Sequence, residues 1–151
     1  MRILQVLGTS AGGVIRHVSA VSVALAAHGH DVRVAGPESS RGLLQEGLQL
    51  TAVEIGPRPG PGDLAAVRAL RVTMSGADVV HAHGLRAGAF AVMAARTRRS
   101  RPRVVVTLHN LPVGGRAVRT VSAVLERVVA RGADVVLGVS GDLVARAVTL
   151  G

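Results

Sequence analysis

Short apolar runs alternate along the chain with longer stretches in which apolar residues recur every three or four positions. The short runs predict six strands, Ile3–Leu7, Asp31–Ala35, Leu48–Ile55, Asp78–Ala82, Val104–Leu108 and Asp134–Val139. Several are continuous rather than alternating, as in Val104-Val105-Val106, which suits strands covered on both faces of a parallel sheet. The longer stretches predict helices over Val14–His28, Leu64–Met74, Arg86–Arg96 and Val118–Arg131. A short helix is expected within residues 37–47, a rigid loop over Pro57–Gly62, and a further helix starting at Asp142. Each strand-helix-strand unit implies a right-handed crossover, so the chain reads as α/β, a single Rossmann-like doubly wound parallel sheet of about six strands with helices on both faces.

At 151 residues the chain is long enough for one self-sufficient core. Its apolar content is 48%, mostly Val and Ala, and its only aromatic of the Phe/Trp/Tyr set is Phe90. No Cys and no Lys is present. These absences exclude a thiol nucleophile, a disulfide framework, a sulfur-bound zinc, a Walker lysine and a Schiff base. They also remove the stacking platform that single-stranded nucleic acid uses. The longest stretch without Arg, Asp or Glu, His17–His30, is 14 residues, short of the roughly 18 that a spanning helix needs. The run after Arg2 is too short for a signal-peptide core, so the expected location is cytoplasmic.

The net charge is +9, and it is uneven: residues 1–75 hold 7 Arg against 5 acids, residues 76–151 hold 11 against 4. Arg96, Arg98, Arg99, Arg101 and Arg103 concentrate the excess. Such a field attracts phosphates on nucleotides or lipid head groups, while an Arg-biased genome accounts for the same numbers as plain solvated surface. The cluster precedes the fifth strand and so lies at the sheet edge opposite the strands' carboxyl ends.

Ligands of open parallel sheets bind at those carboxyl ends. There the sequence places Gly8-Thr9-Ser10-Ala11-Gly12-Gly13 with Arg16 following, His81-Ala82-His83-Gly84, Thr107-Leu108-His109-Asn110, and Ser140-Gly141. Gly12 and Gly13 before a helix leave backbone N–H groups free to face an anion, or else serve a turn that needs positive φ. Their spacing is not G-x-G-x-x-G, and no acid directly follows the second strand. His81-x-His83 puts two imidazoles on one face but lacks a third ligand, so His81 is expected as a hydrogen-bonded core residue and His83 as the one facing ligand. His109 at a strand tip is either a core residue or a hydrogen-bonding partner of a polar substrate. His28 and His30 flank Gly29 and read as capping residues.

Four motifs in order resemble the N-terminal domain of GT-B glycosyltransferases of the family-four type: Ile3-Leu-Gln-Val-Leu with Gly12-Gly13, Gly29-His30-Asp31-Val32, Asp78-Val-Val-His-Ala-His-Gly84, and Val105-Val-Thr-Leu-His109. Asp134–Ser140 is similar to the strand that precedes the interdomain helices of that family. The resemblance covers the whole chain, 1–151, as one N-terminal Rossmann-like domain. It implies sugar transfer from a nucleotide-sugar to an acceptor, with no metal or other cofactor and with retained configuration. The donor would be held mainly by a C-terminal domain that is absent, so the isolated chain is expected to be inactive. It further implies His109 as the catalytic residue, Gly12 and Gly13 facing the donor phosphate or sugar, and Arg16, His83 and Asn110 on the acceptor side. The implied partners are the donor domain and a sugar, cyclitol or lipid acceptor; the Arg96–Arg103 cluster adds an anionic membrane surface at which the protein would sit peripherally, and no specific nucleic acid is expected. The competing reading is a non-catalytic Rossmann-like module that binds anionic membrane or phosphorylated ligands through its Arg-rich surface. A receiver-like module is excluded by Gly8-Thr9-Ser10, where it needs acids, and by the missing lysine.

Overall fold

A computed structural model describes residues 1–10, 12–109 and 115–150. The strands are β1 (Arg2–Leu7), β2 (Asp31–Gly36), β3 (Leu50–Ala52), β4 (Val79–His83), β5 (Arg103–Leu108) and β6 (Val135–Gly138). The helices are α1 (Gly12–Ala27), α2 (Asp63–Thr73), α3 (Leu85–Arg96), α4 (Arg116–Gly132) and α5 (Gly141–Leu150), with a 3-10 turn at Glu38–Leu43. All strand pairs are parallel, in the order β3-β2-β1-β4-β5-β6. The chain is therefore the α/β Rossmann-like fold that the alternation of patterns implies.

The connection from β1 to β2 leaves in one direction and the crossover from β3 to β4 returns in the other. The order thus reverses between β1 and β4, and a crevice opens at their carboxyl ends. On one face of the sheet Leu4, Val6, Val80, Ala82, Val104 and Val106 are fully buried with residues of α2, α3 and α4. Burial of each of these Val and Leu side chains contributes about 1.5–3 kcal/mol. Helix α3 lies between α2 and α4 and is buried almost all round, which its run Ala87-Gly-Ala-Phe-Ala-Val92 permits because small side chains let neighbours approach. A Cβ on Gly88 would come 2.5 Å from Val106 Cγ1, so glycine sets the α3–β5 approach. On the other face Leu7, Val34 and Leu50 form a smaller cluster with Ile15 and Val18 of α1.

Several boundaries differ from the sequence reading. The third strand is only Leu50–Ala52, although the apolar pattern runs from Leu48 to Ile55. Past Ala52 the Val53 N–H still donates to Gly36 O, but Ile55 turns its carbonyl to Thr9. At Ile55 the apolar pattern reports burial, not ladder pairing. Helix α1 starts at Gly12, two residues before the expected Val14, and neither Gly12 nor Gly13 has positive φ. The two glycines form the first turn of the helix, so the positive-φ explanation for them fails.

The arginine cluster acquires a structural use. Arg96 donates to Arg131 O, Arg98 to Arg71 O, and Arg101 to Gly132 O and Asp134. Three of its five guanidiniums thus sit on carbonyls at the C-terminal ends of α2 and α4, where the helix dipole is negative.

Candidate functional site

The crevice at the switch point is a cleft of about 460 Å³. Its walls are the turn Gly8-Thr9-Ser10 after β1, Ile55-Gly56-Pro57 after β3, His83–Ala87 at the end of β4 and start of α3, His109 after β5, and Val118 and Ser122 of α4. Thr9 closes one side: its N–H (2.8 Å) and its hydroxyl (3.1 Å) both donate to Ile55 O. Gly84 opens α3 with φ of +91°, a conformation that favours glycine, and its N–H donates to Thr107 O. That turn aims the first residues of α3 at the cleft.

Arg86 is the anchor of the α3 side. Its Nη2 donates to Asp63 Oδ1 at 2.7 Å, its Nε to Gly56 O at 2.8 Å, and its guanidinium lies 5.0 Å from the centre of the Phe90 ring. One side chain therefore joins α2, the loop after β3 and α3. The rigid Pro57–Gly62 segment, expected only as a connector, supplies part of the wall through Pro57.

Parallel register brings the histidines together. His81 and His83 lie on one face of β4, paired with Val105 and Thr107 of β5, so His109 follows just beyond Thr107. His83 Nε2 is 2.8 Å from Gln5 Oε1 and its Nδ1 is 3.3 Å from His109 Nε2. His81 Nε2 is hydrogen-bonded to Thr107 Oγ1 at 2.8 Å, as expected of a core histidine. From α1, the exposed His17 brings its ring to 5.7 Å from His83 and 5.5 Å from His109.

Burial keeps the His81, His83 and His109 rings uncharged at neutral pH. Burial lowers His81 to about 4, helped by neighbouring His17 and His109. Burial, with His81, His109 and His17 around it, pushes His83 lower still, to about 2. His109 is also lowered, by burial first and then by His17. The cleft floor is accordingly a neutral donor–acceptor surface at pH 7. Ser10 adds a buried hydroxyl that has no partner among the described residues. Among those residues no group of three or more His, Cys, Asp or Glu is arranged to hold a metal ion.

His83 and His109, expected at the site, both line the cleft, but His83 is only 3% exposed with both ring nitrogens engaged. Gly12, Gly13 and Arg16 lie in the first turns of α1 but are not among the residues that line the cleft, to which this helix contributes Val14. The Arg16 guanidinium folds over Gly12, where a Cβ would meet Nη1 at 3.5 Å. Asn110 lies outside the described residues. Sequence reasoning missed His17, Arg86 and Gln5. Arg86 carried a signal, a charge one residue into a helix after a strand-end glycine; a lone Gln in an apolar strand carried another. His28 does cap its helix, with Nδ1 2.7 Å from Ala24 O, whereas His30 meets the terminal amine of Met1.

A parallel six-stranded sheet with a cleft at its switch point defines a Rossmann-like domain. The chain belongs to the glycosyl transferase 4-like domain family, whose model matches residues 12–151. Among solved structures it is similar to MurG of Acinetobacter baumannii, with a TM-score of 0.65 and 18% identity. The match covers 91% of this chain and 41% of that one, so the likeness is one of fold. No curated protein matches the chain in a sequence comparison. Among the described residues no helix is long and apolar enough to cross a membrane.

Proposed function

We propose that residues 1–151 are the N-terminal, acceptor-binding half of a retaining hexosyl-type glycosyltransferase that takes its sugar from a nucleotide-sugar and is inactive without its donor-binding half. One observation carries this reading: the His83–His109 pair and the Gly8–Ser10 turn line one cleft, with Arg86 at the start of α3 in the same wall. In the transfer, the bond from the anomeric carbon to the diphosphate oxygen breaks. The acceptor oxygen bonds to that carbon, and the acceptor's proton leaves towards the departing phosphate. Charge develops on the diphosphate, so preorganised N–H donors serve better than a strong base. His109 takes the catalytic place beside the transferred sugar. Gly12 and Gly13, in the first turn of α1 with their N–H groups at its positive end, face the donor phosphate. Arg16 serves the acceptor side, and His83 serves it by holding His109, since its own nitrogens are taken. Asn110 is assigned to the same side by its place after His109.

No metal or other cofactor enters this scheme; the nucleotide-sugar is a substrate. The acceptor is a sugar, cyclitol or lipid-linked polyol. The location is the cytoplasm, with peripheral attachment to an anionic membrane through the exposed Arg99 and Arg103 beside the helix-capping arginines. Turnover is the test. A protein joining this chain to a donor-binding half transfers sugar from a nucleotide-sugar, and the 151-residue chain alone does not. Transfer by the chain alone overturns the half-site reading, and no transfer by the joined protein overturns the function.

A further inference from the structure

Gln5 is fully buried in the middle of the central strand β1, between Leu4 and Val6, which are likewise at zero exposure. A carboxamide there is expensive unless its hydrogen bonds are used. Its oxygen is used, by His83 Nε2 at 2.8 Å, while its Nε2 has no partner among the described residues. The residue is therefore held for its acceptor oxygen.

That has a consequence two residues away in space. A neutral imidazole carries one N–H and one bare nitrogen. Gln5 Oε1 can only accept, so His83 carries its hydrogen on Nε2 and its Nδ1 is bare. The nitrogen 3.3 Å from that bare Nδ1 is His109 Nε2, which must donate. Neutral His109 is then left with Nδ1 as its basic nitrogen.

We propose that Gln5 is a positioning residue which, through the relay Gln5 Oε1–His83–His109, fixes both histidines as Nε2–H tautomers and so decides which nitrogen of His109 is the acceptor. The assignment of a part in sugar transfer rests on the function proposed above; the tautomers do not. His81 takes no part in the relay, because its Nε2 is bonded to Thr107. His17 touches both relay rings only through ring contacts of 5.5 and 5.7 Å. Gln5 touches neither cleft nor substrate, and it acts only through His83.

Long-range ¹H–¹⁵N correlation spectra of the chain near pH 7 read the tautomers directly. The expected result is Nε2–H for both His83 and His109. Gln5→Met, of similar volume but with no oxygen acceptor, loses that pattern at His83. In the protein joined to a donor-binding half, Gln5→Met lowers kcat by about tenfold with the acceptor KM little changed. A wild-type His83 protonated on Nδ1 overturns the proposal, whether or not Gln5→Met folds, as does a Gln5→Met protein with wild-type tautomers. Correct tautomers in a joined protein that transfers no sugar support the relay and refute the function instead.

Discussion

His83 Nδ1 lies 3.3 Å from His109 Nε2 across the ends of two adjacent parallel strands. One partner is 3% exposed and the other half-buried at the cleft, so the pair leads from the core to the site.

His109→Ala in a protein that includes the donor-binding half is expected to lower turnover by about a hundredfold or more, the usual worth of one preorganised hydrogen-bonding group beside the reacting atoms. Because His109 sits at a strand tip, the melting temperature should move little. Wild-type turnover in that variant would show that the site is misplaced.

The neutral histidines make stability pH-dependent. In the unfolded chain they titrate near 6.5, while folded His81 titrates near 4 and His83 lower. Between those values the unfolded chain binds more protons, so stability falls as pH falls. The contribution is complete above about pH 6.5 and is lost for His81 through about pH 4, with His83 extending the loss further down. Asp78, held below the ordinary carboxylate range by Arg2, adds its own loss as the pH falls through and below that range. Denaturant midpoints measured from pH 7 to pH 4 check this; a flat profile contradicts it.

Gly88→Ala forces a methyl against Val106 at the α3–β5 contact and should cost about 1–3 kcal/mol. Adding Val106→Ala makes room, so the double mutant should lose less than the two single losses together. Strict additivity in urea unfolding would mean that the two side chains do not meet.

Arg86→Ala removes the donor to Asp63 and to Gly56 O together. Charge-assisted bonds of this kind are worth about 1.5–3 kcal/mol, so a loss near that size is expected, centred on the cleft wall. Amide hydrogen exchange should rise at Ala66, whose N–H bonds to Gly62 O at the start of α2, more than at Val106 in the core. Equal changes at both would indicate a global effect.

Much of the fold was legible because a parallel sheet writes itself plainly. Val104–Val106 is continuous since both its faces are covered, and α4 shows a clear helical period since only one side of it is. The third strand was overread because Ile55 is buried while its carbonyl accepts from Thr9 instead of pairing with β2. That His83 and His109 would meet at the strands' carboxyl ends was legible from their place in the sequence, and both line the cleft. His17 was not, because nothing in its local sequence says that the first turns of α1 lean over β4 and β5. The same holds for Arg98 and Arg101, which read as a charged surface and are engaged at helix ends.

By itself the sequence determined the element types, the class of sheet and the list of groups available for chemistry: glycine backbone, imidazole and guanidinium, with no thiol or amine side chain. Those are local properties of period and composition. Only the tertiary structure decided that Gln5, His83 and His109 form one line, because that depends on the register between β1, β4 and β5. Strand register is a property of pairs far apart in the chain, and burial, which keeps those imidazoles neutral, exists only once the pairs have formed.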